Sequence, residues 1–364
     1  MLNIAYITDD NYVLPTKTSI NSIIKNSSGT SICIHIICVE VSESNRLALN
    51  KLESTNVKIE ILNFNNIYKD LCPDHPYISK AALLKFKLPW IFRNLNRILY
   101  IDGDTLLFSG FEQIFETNID NYFAAVVMDM YTMKFGEWHK RLGLDRYFNS
   151  GMMYLNLEKM RSENCSEKLI EYQKNEKENV FMDQNALNAV FDGKVVFVSP
   201  KFNFLEAYKD MFQETDIKSF YNVSTSDVTT PLIRHMAGGV KPWKYANANS
   251  ANDFIPYVVT DDTLRVAKEY CVSLAKEEAG HISALQEKLA AQESRIAGLE
   301  QTVASQSQLI SEQGERIADL SQRLSEQDRE LGELRGLIMN TRHRTLFGAA
   351  EWLAGKIRRR GKND

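Results

Sequence analysis

Through residue 200, short runs rich in β-branched and aromatic residues alternate with stretches whose apolar positions return every three or four residues. Strands are expected over residues 3–7, 32–39, 57–62, 97–101, 123–128, 152–156 and 194–198, and helices near 12–25, 42–52, 80–92, 167–174 and 183–191. Alternation of this kind predicts an α/β fold, a mainly parallel sheet covered by helices on both faces. Between residues 200 and 262 the period weakens, and strands and loops closing over a site are expected there.

Past residue 278 the pattern changes to a heptad. Its a positions are Ile282, Leu289, Ile296, Val303, Ile310, Ile317, Leu324, Leu331 and Ile338, and all nine are aliphatic. The d positions are Leu285, Gln292, Leu299, Gln306, Gln313, Leu320, Gln327 and Leu334, half of them glutamine. So narrow a stripe, held over a helix of about 84 Å at 1.5 Å per residue, is better suited to another such stripe than to a globular face. A homo-oligomeric coiled coil, dimer or trimer, is expected. Four segments follow: 1–262 globular, 263–281 a helical linker, 282–338 coiled coil and 339–364 a tail.

Residues 341–364 carry seven Arg or Lys against two acids, with Leu346, Phe347, Trp352, Leu353 and Ile357 as an apolar side. A helix of that makeup can lie on an anionic membrane surface, and oligomerisation would multiply its grip; a solvated basic tail is the plainer reading. The formal charge of −4, with no basic stripe in the globular part, argues against nucleic acid as a partner. Five scattered cysteines without metal spacing suggest a reducing compartment. With no secretory leader pattern and no run of about 20 apolar residues, the expected location is cytoplasmic, peripheral on the inner face of the cytoplasmic membrane.

The chemistry concentrates after the fourth expected strand, where Ile-Leu-Tyr-Ile ends in Asp102, Gly103 and Asp104. Two carboxylates so spaced can share a divalent cation against a nucleotide diphosphate, and hard oxygen ligands suit Mg²⁺ or Mn²⁺. Open α/β sheets bind ligands at such strand ends, although many acidic pairs there only cap or solvate. Asp9, Asn11 and Tyr12 lie at the end of the first strand, where they can meet a nucleoside or cap the next helix. Asn149, Ser150 and Gly151 lead into another strand and alone would pass for a turn. Asp183 and Gln184 open a helix, as caps or as groups facing a sugar. His235, Gly238, Gly239 and Lys241 put an imidazole, a glycine pair and a lysine within seven residues, enough to complete a metal shell and meet phosphate oxygens.

Taken in order, these motifs resemble the retaining glycosyltransferases of family 8, which include bacterial lipopolysaccharide galactosyl- and glucosyltransferases and the glycogenin type. The resemblance covers roughly residues 1 to 245, through Asp-Asp-Asn-Tyr at 9–12, Tyr-Ile-Asp-Gly-Asp at 100–104, Phe-Asn-Ser-Gly at 148–151, Asp183-Gln184, and His235 through Lys241-Pro242-Trp243. It implies a GT-A type Rossmann-like domain, a UDP-hexose donor and Mn²⁺ or Mg²⁺. It implies Asp102, Asp104 and His235 as metal ligands, and Asp9, Asn11 and Tyr12 as uridine contacts. Gly238 and Lys241 become diphosphate contacts, and Asn149, Asp183 and Gln184 surround the transferred sugar, with Asp129 a weaker candidate. Lys85 stands where bacterial members often carry an arginine toward the donor, and Gly103 replaces a bulkier residue.

The expected reaction moves galactose or glucose from the UDP-sugar to a hydroxyl of a glycan or lipid-linked glycan acceptor, in lipopolysaccharide or surface polysaccharide synthesis, by attack from the face that UDP vacates. Two other classes compete: a membrane-tethered coiled-coil scaffold with an inactive nucleotide-binding domain, and a nucleotidyltransferase. The latter would ordinarily carry a Gly-rich basic loop after the first strand, and residues 8–15 have none.

Overall fold

The computed structural model describes residues 1–27, 29–64, 80–176, 181, 183–246, 248, 250–293, 311–325 and 355. The chain divides into two compact units, Met1–Ala279 and Gly280–Asp364.

Among the described residues of the first unit, ten strands form two sheets: β1 (Leu2–Thr8), β2 (Ile32–Val39), β3 (Val57–Phe64), β4 (Arg97–Ile101), β5 (Thr105–Leu107), β6 (Ala124–Met128), β7 (Phe148–Asn156), β8 (Val195–Phe197), β9 (Phe204–Leu205) and β10 (Ile233–His235). The large sheet has the order β3-β2-β1-β4-β7-β6-β8, and the small one β5-β10-β9. Neighbours in the large sheet run parallel except at β7, which is antiparallel to both β4 and β6. The sheet is thus mainly parallel as expected, made mixed by β7 alone, which enters from the site end. Strands covered on both faces have no use for alternation, so β2 is an unbroken buried run, Ile-Cys-Ile-His-Ile-Ile-Cys-Val.

One apolar layer packs Ala5, Ile37, Tyr100 and Met153 beneath Leu84, Phe86, Leu169 and Leu187. The opposite layer packs Ile4, Ile34, Leu99 and Met152 against Ile20 and Ile23 of the helix Val13–Asn26. The segment expected as one helix over 80–92 instead forms a 3₁₀ helix, Lys80–Lys87, and one short α-helix, Leu88–Ile91. Pro89 lacks the N–H that would bond back to Lys85, and its ring would press on that carbonyl, so an α-helix cannot run through. The tighter 3₁₀ turn carries the Lys85 side chain inward, where only 3 % of it is exposed.

β7 begins at Phe148, four residues earlier than the apolar pattern starts, because a bulge between Val126 and Val127 lets Asn149 pair with β6 while Gly151 faces β4. The long helix Thr260–Glu293 starts on the first unit: Val266 is buried beside Trp243 and Phe254, and the Tyr270 hydroxyl donates to the Pro242 carbonyl. Residues 311–325 are also helical. The remainder of the expected coiled coil, 294–310 and 326–338, and the tail 339–364 apart from Gly355 lie outside the described residues. Among the described residues no helix is long and apolar enough to cross a membrane.

Candidate active site

Asp102 and Asp104 do not share a strand face. They flank the tight turn between β4 and β5, which passes the chain from the large sheet to the small one. Antiparallel pairing of β5 with β10 sets His235 opposite Thr105, so the imidazole arrives beside the turn. One ligand atom from each of Asp102, Asp104 and His235 lies within 4.8 Å of the others. His235 Nε2 is 3.3 Å from Asp104 Oδ1 and 3.9 Å from Asp102 Oδ2.

Two glycines make room. A Cβ on Gly151 would stand 2.2 Å from His235 Cε1 and 2.8 Å from Asp102 Oδ2, so the floor of this cradle admits hydrogen only. A Cβ on Gly103 would stand 2.3 Å from Thr16 Oγ1. The small residue between the two aspartates is thus set by the helix behind the turn, as well as by any approach of a diphosphate in front of it.

The imidazole is oriented from behind. His235 Nδ1 lies 3.0 Å from Asn203 Oδ1, and Asn203 Nδ2 donates to Asn149 Oδ1 at 2.9 Å, which fixes the amide and makes Nδ1 the donor. The Nε2 lone pair then faces the two carboxylates, the arrangement an ion held by all three groups requires. Burial opposes the charge on Asp104, but Lys241, joined by His235 whenever Nε2 is protonated, outweighs it and holds the carboxyl well below the usual carboxylate range. Lys241 Nζ donates to Asp104 Oδ2 at 2.6 Å and to the Met236 carbonyl at 2.9 Å. The Tyr100 hydroxyl donates to Asp102 Oδ1 at 2.5 Å.

A second group of polar residues adjoins the first. Lys85 Nζ donates to Asp183 Oδ2 at 2.8 Å and lies 3.2 Å from Asp102 Oδ1, and Ser150 Oγ also donates to Asp183 Oδ2, at 2.8 Å. Burial pushes the Asp183 carboxyl up against the pull of Lys85. Burial also opposes the charge on Lys85, yet Asp102 and Asp183 together hold the ammonium above the ordinary lysine value. Shared between two carboxylates, the ammonium is the more firmly held charge of the pair. Gln184 Oε1 accepts from Asn149 Nδ2 and from the Ser150 N–H, while its Nε2 donates to Asp129 at 3.4 Å. Asp129 also accepts from the Thr132 N–H and the Tyr208 hydroxyl, and burial pushes its carboxyl up.

These residues line one cavity of about 510 Å³, in the range of small-molecule sites. Asp9, Tyr12, Lys85, Asp102, Asp104, Asp129, Asn149, Asp183, Gln184, His235, Gly238 and Lys241 all reach it. Asn11 is exposed and does not line it; its N–H and that of Tyr12 donate to Asp9 Oδ1, so the Asp9 carboxylate braces the turn that starts the helix. Tyr12 stands edge-on to Trp243, with ring centres 5.8 Å apart. Gly238 has φ of 105°, a left-handed conformation that a side chain would strain. Asn203 and Tyr208 were not legible as site residues; an isolated Asn and Tyr between weak strands carry no pattern.

The sequence profile of glycosyl transferase family 8 matches residues 3–247. A Haemophilus influenzae protein, provisionally named as a glycosyltransferase, is 31% identical over 254 residues, 66% of this chain and 73% of its own. The lipopolysaccharide 1,2-glucosyltransferase of Escherichia coli K12 is 27% identical over 250 residues, covering 66% of this chain and 72% of that protein. The lipopolysaccharide 1,3-galactosyltransferase of Salmonella typhimurium is 27% identical over 259 residues, with the same shares. Among solved structures, the galactosyltransferase LgtC in complex with donor and acceptor sugar analogs matches with a TM-score of 0.63 at 22% identity, covering 71% of this chain and 95% of that one. The bifunctional WbbM matches with a TM-score of 0.65 at 22% identity over 74% of this chain, which spans 52% of WbbM. The fold is a mixed α/β sheet of the GT-A kind.

Proposed function

The chain belongs to glycosyl transferase family 8, and on that footing we propose that it transfers a hexose, galactose or glucose, from a UDP-sugar to a hydroxyl of a membrane-associated glycan with retention at the anomeric carbon. The place of this step is lipopolysaccharide or surface polysaccharide synthesis, in keeping with the named relatives. One observation carries the reading: two carboxylates and a tautomer-fixed imidazole converge on a glycine-floored cradle inside the cavity.

That donor set and its bare floor fit a hard divalent cation, so Asp102, Asp104 and His235 would hold Mn²⁺ or Mg²⁺. Such an ion, when bound, offsets the charge that gathers on a departing diphosphate. The chain supplies the rest. Lys241 and the backbone at Gly238 present positive charge and N–H groups to phosphate oxygens, and Tyr12 offers a ring to the base. Lys85 and Ser150 hold the Asp183 carboxylate in one orientation, where it can accept from sugar hydroxyls. Gln184 has both ends of its amide engaged and is a poor nucleophile. We therefore place the attack on the face UDP vacates, with the acceptor proton passing to the leaving phosphate. A glycosyl-enzyme adduct trapped on Asp183 would replace this route with a covalent one.

The test is UDP release from a panel of UDP-sugars with Mn²⁺, using Asp104→Ala as control. Release that depends on donor, ion and Asp104 supports the transferase. Failure with every donor supports the scaffold reading. The helix 311–325 leaves Ile317, Leu320 and Leu324 exposed at 67%, 56% and 45%, which supports a second or third copy of the chain as their cover. Equilibrium sedimentation of the full chain tests this, and a monomer removes it. We place the protein on the inner face of the cytoplasmic membrane through residues 339–364; their deletion is expected to abolish binding to anionic vesicles while sparing UDP release.

A further inference from the structure

Within the buried run of β2, Cys33 and His35 are out of keeping with the aliphatic residues around them. Two apart on one strand, they face the same side, and Glu60 of β3 lies in register with His35. Among the described residues, two clusters can bring three metal-ligating atoms within 4.8 Å of one another: the Asp102, Asp104 and His235 set, and Cys33, His35 and Glu60. None of these latter three lines the cavity.

The imidazole of His35 sits between two oxygens. Its Nδ1 is 3.0 Å from Glu60 Oε2, and its Nε2 is 3.0 Å from Asn3 Oδ1. An uncharged ring carries one N–H and can donate to only one of them, and at 6% exposure the ring lacks the water that would solvate a second proton. A cation among Nδ1, Oε2 and the Cys33 sulfur satisfies every atom present. Nε2–H then donates to the Asn3 carbonyl oxygen, the outer contact that metal-bound histidines habitually make. Lys58 holds the other Glu60 oxygen, Oε1, at 2.6 Å, which leaves Oε2 turned inward.

We propose that Cys33, His35 and Glu60 form a second metal site, for an ion of the zinc class, that ties the edge strand β3 to β2. The chemistry of the donors separates it from the first: thiolate, imidazole and one carboxylate suit Zn²⁺, whereas two carboxylates and an imidazole facing a diphosphate suit Mn²⁺ or Mg²⁺. Binding forms a metal–sulfur bond and releases the thiol proton to solvent. Glu60 is partly exposed, so an ion has access and water can fill the fourth position.

The experiment uses the full chain, stripped with a chelator and titrated with Co²⁺ and then Zn²⁺. Thiolate-to-cobalt charge-transfer absorption, bleached by equimolar Zn²⁺, is expected in the native chain and in Asp104→Asn, which disables the first site alone. Cys33→Ser is expected to lose the band, and Glu60→Gln, a mild change at a partly exposed position, to weaken Co²⁺ binding about tenfold or more. Zn²⁺ is expected to raise the Tm of Asp104→Asn, and to raise it less in the chain that carries Glu60→Gln as well. A native chain without the band overturns the assignment, as does a band that persists in both variants.

Discussion

Alanine at position 151 probes the cradle with a single methyl group. Gly151 lies within β7 and has no positive φ, so the backbone accepts the change and only space opposes it. The new carbon would stand 2.2 Å from His235 Cε1 and 2.8 Å from both His235 Nδ1 and Asp102 Oδ2, where ordinary contact begins at 3.4 Å. His235 is buried and tied to Asn203, so it must retreat by roughly 1 Å or the strand must shift. Metal–ligand distances tolerate about 0.2 Å, so that retreat takes the imidazole out of reach of an ion shared with the aspartates. Overpacking costs about 1–3 kcal/mol of stability. Misaligned support of a ligand alone costs about 10–100-fold in metal affinity, and Gly151→Ala is expected to reach the upper end. Calorimetric titration with Mn²⁺ in the presence of UDP measures it, with UDP release across a Mn²⁺ series as the functional counterpart. Unchanged affinity in a variant that unfolds cooperatively would refute the reasoning, because the added methyl cannot coexist with three groups closing on one ion.

Gly103→Ala is expected to lose activity through its clash with Thr16, not with the ligands, and Thr16→Ala in the same chain should recover it, with a coupling of about 0.5–3 kcal/mol in a thermal double-mutant cycle. Asn203→Ala leaves a buried imidazole N–H without its acceptor; we expect about 10–100-fold weaker Mn²⁺ binding and a loss of about 1–3 kcal/mol in urea unfolding. Lys85→Met removes the cation between the buried Asp183 and the partly buried Asp102 carboxylates and should cost about 3–5 kcal/mol, less when combined with Asp183→Asn. The Asp104 carboxyl is depressed, so without metal its contribution is present above the unfolded value of about 4 and lost as pH falls toward its folded value. The stability gap between the native chain and Asp104→Asn should therefore close on acidification below about pH 4, measured by urea unfolding. Asp183 and Asp129, both pushed up by burial, act in the opposite sense, and the strain of their ionisation eases as pH falls.

Much of the large sheet is visible in the sequence because strands such as β2 and β4 are saturated with apolar residues and end on polar ones. The second sheet is not. Its strands are two or three residues long, too short for any period, yet β10 is what brings His235 to the aspartates from far along the chain. The start of β7 was hidden for another reason: Asn149, Ser150 and Gly151 are strand residues chosen for the cavity they face, so their polarity imitates a turn. The break at Pro89 could have been anticipated from its missing N–H. Asn203 could not, since its role exists only through the pairing that carries His235 to it.

The two halves of the site are parts of one polar network. From His235 the hydrogen bonds run to Asn203, to Asn149, to Gln184 and to Asp129, so the imidazole beside the two aspartates and the polar group around Gln184 share a chain of buried amides. Each amide in that chain has its oxygen and nitrogen assigned by the next, and reversing one would set oxygen against oxygen further along. Such a chain holds the imidazole tautomer and the Gln184 orientation together, across the two sheets. Mutational effects along it should consequently be far from additive: once Asn203 is lost, removing Asn149 breaks only its bonds to Gln184 and Gly151, and Lys85 and Asp183, joined to the network through Ser150 and through Asp102 beside His235, should couple to it as well.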